Sequence, residues 1–281
     1  MTNIQTDCKQ NIITPDPYTT ILLNYGREDL FFKIQKAIKL VFDVEYEMVK
    51  LGLREANIFH LMPEECDTQF EKITRDGLVF LPISRTKRYS GFAHKHEFVD
   101  KLDSNAMSYG VVAKDLATAE KFKLVQSQES TNHKTTGQYL GYPDCCSTAF
   151  EPYFRQSADP VYEVASATEG SYIDKKDGAL VVPQFDTTLF VHLRYAGIRI
   201  IPWFPCNLLC KESKEKSKIW LSVLESMDQD ITKFILEVLN VKNQTWDLLN
   251  AQVVITVPGY FKIIATSDYC PQRKIIKFIG D

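Results

Sequence analysis

The sequence predicts an α+β fold, a helix-rich body with a C-terminal antiparallel β-meander, on three observations. Leu30, Phe31, Ile34, Ala37, Ile38, Val41 and Phe42 recur at steps of three and four residues, which puts them on one face of an amphipathic helix. The stretch from Lys211 to Asn240 is strongly helical and reads as two helices split near Asp228 to Asp230. The tail changes character: strand-like runs at 251–257, 260–266 and 274–279 are separated by turn residues such as Pro258-Gly259. Helices first and strands last, without regular alternation, point to α+β.

Taken in order, Met1 to Pro17 reads as a mobile arm punctuated by Pro15 and Pro17, and residues 18–281 as one α+β domain. Tyr18 to Leu23 reads as a short strand, as do Ala56 to Met62, Leu78 to Ile83 and Met107 to Ala113, the last with Gly110 inside it. Arg85, Lys87 and Arg88 lie in a polar loop with Tyr89 and Gly91. His94 and His96 follow it and read as surface histidines. Asp115 caps a helix through Ala119, Phe122 and Val125, and Asn132 caps a short helix holding His133 and Gln138. Residues 158–179 read as a loop, Asp186 to Gly197 as a core helix carrying His192, and Ile198 to Trp203 as a buried strand.

Composition bounds the function. The chain has 281 residues, 44% hydrophobic and 25% charged, an ordinary globular balance. A net charge of −3 supplies no electrostatic footprint for nucleic acid. No apolar run reaches the length of a membrane span, and residues 1–11 lack a signal-peptide core, so a cytoplasmic protein is expected. Seven cysteines, an odd number, argue for reduced thiols rather than a disulfide framework.

The chemistry concentrates in Gly137 to Phe150, where glycines and Pro143 lead into a helix that starts with Asp144, Cys145 and Cys146. Thiols in a first helical turn sit among unpaired backbone N–H groups and near the positive end of the dipole. A second thiol group follows: Pro205-Cys206-Asn207-Leu208-Leu209-Cys210.

Three readings compete. In the first, Cys146 or Cys145 is a nucleophile, His133 or His192 its base, Asp186 the orienting carboxylate and Gln138 an oxyanion donor. Cysteine peptidases share this layout of glycine-rich approach, upstream Gln and cysteine-headed helix, so the expected body has a papain-like cysteine-helix arrangement; this reading needs no cofactor. In the second, Cys145, Cys146, Cys206 and Cys210 bind zinc or iron–sulfur, although adjacent side chains are expected to diverge and the double C-x-x-C spacing is missing. In the third, the thiols are inert core of a non-catalytic binding module.

Leu140-Gly141-Tyr142-Pro143-Asp144-Cys145-Cys146, followed by Pro205-Cys206 and Cys210, resembles a little-characterised prokaryotic family with an L-G-Y-P-x-C-C segment and a later P-C-x-x-x-C segment. That family often carries a histidine two residues before the second Pro–Cys pair; this chain has Trp203 there. Within it, the chain is similar to the cysteine-protease homologues of polythioamide antibiotic assembly, the closthioamide type. The resemblance implies a cysteine-dependent acyltransferase. An acyl group would pass from a thioester on a carrier protein to the cysteine and on to a small amine or diamine, forming an amide. The implied partners are an acyl carrier protein and the amine, with neither nucleic acid nor membrane.

Overall fold

The computed structural model describes residues 12–16, 18–87, 99, 106–127, 132–155, 159–267 and 270–280, and the fold is α+β. The chain opens with β1 (Ile12–Asp16), β2 (Thr19–Leu23), α1 (Leu30–Lys50), β3 (Ala56–Leu61) and α2 (Cys66–Arg75). It continues through β4 (Val79–Thr86), β5 (Met107–Ala113), α3 (Leu116–Gln126), α4 (His133–Tyr139) and α5 (Asp144–Arg155). Then come α6 (Pro160–Ser166), β6 (Tyr172–Ile173), β7 (Leu180–Val182), α7 (Lys211–Met227) and α8 (Gln229–Leu239). The last strands are β8 (Gln244–Leu249), β9 (Gln252–Val257), β10 (Phe261–Thr266) and β11 (Lys274–Phe278). His94 and His96, like Arg88, Tyr89 and Gly91, fall outside the described residues.

The described residues form two compact units. One holds the described residues up to Phe42 and from Ala149 onward; the other holds those between Asp43 and Thr148. Both boundaries fall inside continuous helices, α1 and α5.

The first unit is built on an eight-stranded sheet in the order β1-β2-β10-β9-β8-β11-β7-β6. Its pairs are antiparallel except β11 with β7. Alternation sets its buried face: Val253, Ile255 and Val257 of β9 lie in register with Ala265, Ile263 and Phe261 of β10, all buried. The meander is β8-β9-β10, and β11 returns to pair with β8. Strand β8 is absent from the sequence reading, although Gln244, Trp246 and Leu248 alternate inward.

Four further expectations change. Ile12–Asp16 pairs with β2 and forms the edge of the large sheet, where a mobile arm was expected. The 158–179 loop contains α6, started by Asp159, whose carboxylate accepts from Val161 N at 2.9 Å. The helix expected over 186–197 is two 3₁₀ turns, Thr187–Leu189 and His192–Ala196. Phe190 between them is extended and lies 4.2 Å from Phe185 and 4.9 Å from Phe278, ring to ring, so aromatic packing overrides the helical period. Ile198 to Trp203 is buried but forms no strand, because an apolar run without a pairing edge carries no ladder.

The second unit is a three-stranded antiparallel sheet, β3-β5-β4. Central β5 is buried on both faces. Val111 and Ala113 pack with Ala119 and Phe122 of α3, while Val112 packs with Tyr46, Val49, Ile73 and Leu78. Gly110 is required there, since a Cβ would meet Leu81 O and the Phe80 ring at 2.6 Å.

Candidate metal centre

Gly141, at φ +71°, takes the left-handed conformation that turns the chain from α4 into α5. The Pro143 carbonyl accepts from Cys146 N at 3.1 Å and Ser147 N at 3.0 Å, which starts α5 where the Pro-Asp-Cys-Cys order predicts. The helix runs on through Pro152 to Arg155. Cys145 is exposed and Cys146 is 1% exposed, yet their Sγ atoms approach to 3.7 Å. The divergence expected of adjacent cysteine side chains does not occur in this first turn.

The body of α5, from Ala149 on, belongs to the first unit, and so does the 203–210 segment. That segment is pinned at several points. Trp203 donates from Nε1 to Ser213 Oγ at 2.9 Å and meets Trp220 edge-on. Phe204 stacks on Phe150 of α5, and the Arg194 guanidinium covers the Phe204 ring at 4.4 Å. Leu208 N donates to Thr168 Oγ1 at 3.0 Å, and Leu208 O accepts from Asp186 N at 2.9 Å. The Sγ atoms of Cys145, Cys146, Cys206 and Cys210 all lie within 4.8 Å of one another.

Cys210 is the N-cap of α7, and its Sγ accepts from Ser213 N at 3.4 Å. Cys206 Sγ accepts from Asn207 Nδ2 at 3.5 Å. Cys210 Sγ also stands 3.6 Å from Glu212 Oε2, to which a protonated thiol donates. Anionic sulfur is favoured at both helix N-termini, and N–H groups aimed at sulfur suit a ligating thiolate. With zinc–sulfur bonds of about 2.3 Å, the edge of a tetrahedron of thiolates is about 3.8 Å. The Cys145–Cys146 separation of 3.7 Å matches that edge, and an outer limit of 4.8 Å leaves only a small contraction. A multi-iron cluster would hold its cysteine sulfurs farther apart.

The candidate catalytic groups have other engagements. His192 is buried between Phe190 and Phe278, and its Nε2 pairs with Gln244 Oε1 at 2.7 Å. Gln244 donates in turn to the carbonyls of Val238, Leu239 and Val241, so its oxygen faces the ring and Nε2 carries the proton. Burial pushes the His192 pKa down to about 4, against the Gln244 hydrogen bond. Asp186 caps the 187–189 turn through Thr188 N at 3.0 Å and pairs with Lys214 at 2.9 Å. Burial works to raise its pKa, but the Thr188 and Lys214 bonds hold it below the usual carboxylate value. Asp186 and His192 are thus committed to different partners. In the second unit, His133 is the half-exposed first residue of α4. Gln138 is exposed on the same helix and lines a groove with Gly52, Arg54, Lys114 and Thr118.

None of the six described cysteines is in a disulfide. Cys66 and Cys270 stand outside the cluster; burial raises the Cys66 thiol pKa, and Cys270 donates to Gln272 O. The sequence reading missed Phe150, Phe204, Asn207 and Ser213 as residues that build the site. The available signal was Ser213 three residues after Cys210, the spacing of an N-cap to its N3 amide. No protein-family model, curated protein or solved structure matches the chain.

Proposed function

We propose that this chain is a thiolate metal-binding protein in which Cys145, Cys146, Cys206 and Cys210 hold one tetrahedral dication, zinc in the first place and ferrous iron in the second. The observation that carries the reading is the mutual approach of the four sulfurs within 4.8 Å. Four-sulfur tetrahedral sites take these ions, and zinc needs no redox partner. Thiolate ligation requires a reducing compartment, which fits the cytoplasm, and no helix among the described residues is long and apolar enough to cross a membrane.

Metal analysis and an absorption spectrum of protein purified without oxygen test this. One equivalent of zinc is expected. Cobalt exchanged for it should give the intense visible bands of a tetrahedral thiolate site. Protein that is metal-free as purified and takes up neither ion would reject the reading.

A second reading is acyl transfer through an acyl-cysteine, as the family resemblance implies, with a carrier-protein thioester as donor and an amine as acceptor. It is favoured by one observation, the exposed Cys145 in the first turn of a 12-residue helix. Intact mass after incubation with an acyl thioester tests it: an adduct lost in Cys145→Ala or Cys146→Ala supports it, and no adduct on the wild type rejects it.

A further inference from the structure

We infer that Cys145 is the reactive thiolate of the four, the sulfur that attacks a soft carbon electrophile, an alkyl donor with a good leaving group, while Cys146, Cys206 and Cys210 keep the ion. The inference rests on the tetrathiolate reading. It follows from how differently the four cysteines are exposed. Cys146 and Cys210 are 1% and 4% exposed, which denies them an incoming electrophile. Cys206 is half-buried and accepts from Asn207 Nδ2; Cys210 accepts from Ser213 N. Cys145 alone among the four is exposed.

The charge balance favours the reaction. Four thiolates around a dication carry a net charge of −2. Alkylation turns one of them into a neutral thioether and brings the site to −1. A lone pair on Cys145 Sγ forms the new C–S bond, the bond from carbon to the leaving group breaks, and the leaving group departs with that electron pair. No proton moves, because the metal already holds the sulfur as thiolate. The step therefore needs no histidine base, in keeping with a His192 whose Nε2 is committed to Gln244. The three remaining thiolates, two of them buried, are enough to retain the ion.

Zinc-loaded full-length protein treated with substoichiometric iodoacetamide near pH 6.5, followed by peptide mapping and native mass, tests this. At that pH an ordinary thiol is only about 1% thiolate, so Cys145 should be labelled at least about tenfold faster than Cys66 or Cys270. Native mass should show the singly labelled protein with zinc still bound. Cys145→Ser should lose the fast label while Cys66 and Cys270 react as slowly as before. Fast labelling at Cys206, or a Cys145 that zinc protects as fully as it protects Cys146 and Cys210, would overturn the inference and leave the tetrathiolate site standing. A native mass without zinc would overturn the site itself, and the inference with it.

Discussion

Phe150 and Phe204 lie ring on ring, with centroids 5.5 Å apart and planes 8° from parallel. Phe150 is one helical turn past Cys146 on α5, and Phe204 is two residues before Cys206. Each ring thus lies a few residues from one of the two cysteine pairs without being a ligand. Phe150→Ala should leave the ligands intact and lower metal affinity. An aromatic pair of this kind contributes about 0.5–1.5 kcal/mol beyond its burial, or roughly a two- to tenfold rise in Kd. Competition with a zinc chelator measures it. An unchanged Kd would mean that the metal alone sets the spacing.

Gly137 of α4 faces Ser147 of α5, and this contact fixes the α5 first turn within the second unit. A Cβ on Gly137 would meet Ser147 Oγ at 2.1 Å and Ser147 Cβ at 3.0 Å. Gly137→Ala should cost about 1–3 kcal/mol, the range of an overpacked core, read from a denaturant melt. Ser147→Ala alone should be neutral or stabilising, because Ser147 Oγ is buried with no hydrogen-bond partner. The double variant should recover much of the loss, since the Oγ conflict is gone and only the 3.0 Å contact remains. A double variant no better than Gly137→Ala would place the strain elsewhere.

These two contacts also mark the limit of what the sequence carries. The cysteine-headed helix was legible because Gly141, Pro143 and Asp144 act through local rules of turn and helix start. The helical period from Leu30 to Phe42, the helices over 211–239 and the strands at 252–257 and 261–266 were legible in the sequence, while the continuation of the first helix to Lys50 was not. Strand β1 and the 3₁₀ turns around Phe190 were not: pairing with β2 and packing of Phe185, Phe190 and Phe278 are decisions of tertiary structure. The same holds at the site. Spacing named Cys145, Cys146, Cys206 and Cys210 as candidate ligands, but the approach of their sulfurs within 4.8 Å is a matter of tertiary structure, which no local pattern encodes.

Metal binding should be steeply pH-dependent, because each thiol must lose its proton before it ligates. Affinity should fall as pH drops, by up to tenfold per unit for every proton released. Glu212 adds a local effect: with Oε2 3.6 Å from Cys210 Sγ, it holds the thiol proton in the metal-free state. Glu212→Gln removes that negative charge and should raise zinc affinity at neutral pH, by about two- to fivefold for a charge partly screened by solvent. Isothermal titration in buffers of different ionisation enthalpy counts the protons released. A Glu212→Gln protein that binds zinc more weakly would instead make the carboxylate a supporting group.

The last prediction concerns the first unit in the metal-free state. Folded His192 has a pKa of about 4, below the 6.5 of an unfolded histidine. Between those values the unfolded chain binds the extra proton, so this contribution is fully present above about pH 6.5 and is lost as pH falls towards 4. The loss is on the order of 3 kcal/mol, because protonation would bury a charge against Phe190 and Phe278 while Gln244 can serve only Nε2. His192→Gln cannot titrate there. The variant should therefore lose less stability than the wild type between pH 7 and about 4.5, whatever its stability at pH 7. Guanidinium melts at the two pH values, with chelator present to remove the cysteine ligands from the balance, read the difference. Equal losses in both proteins would assign the acid sensitivity to the carboxylates, among them Asp186 with its Lys214 partner.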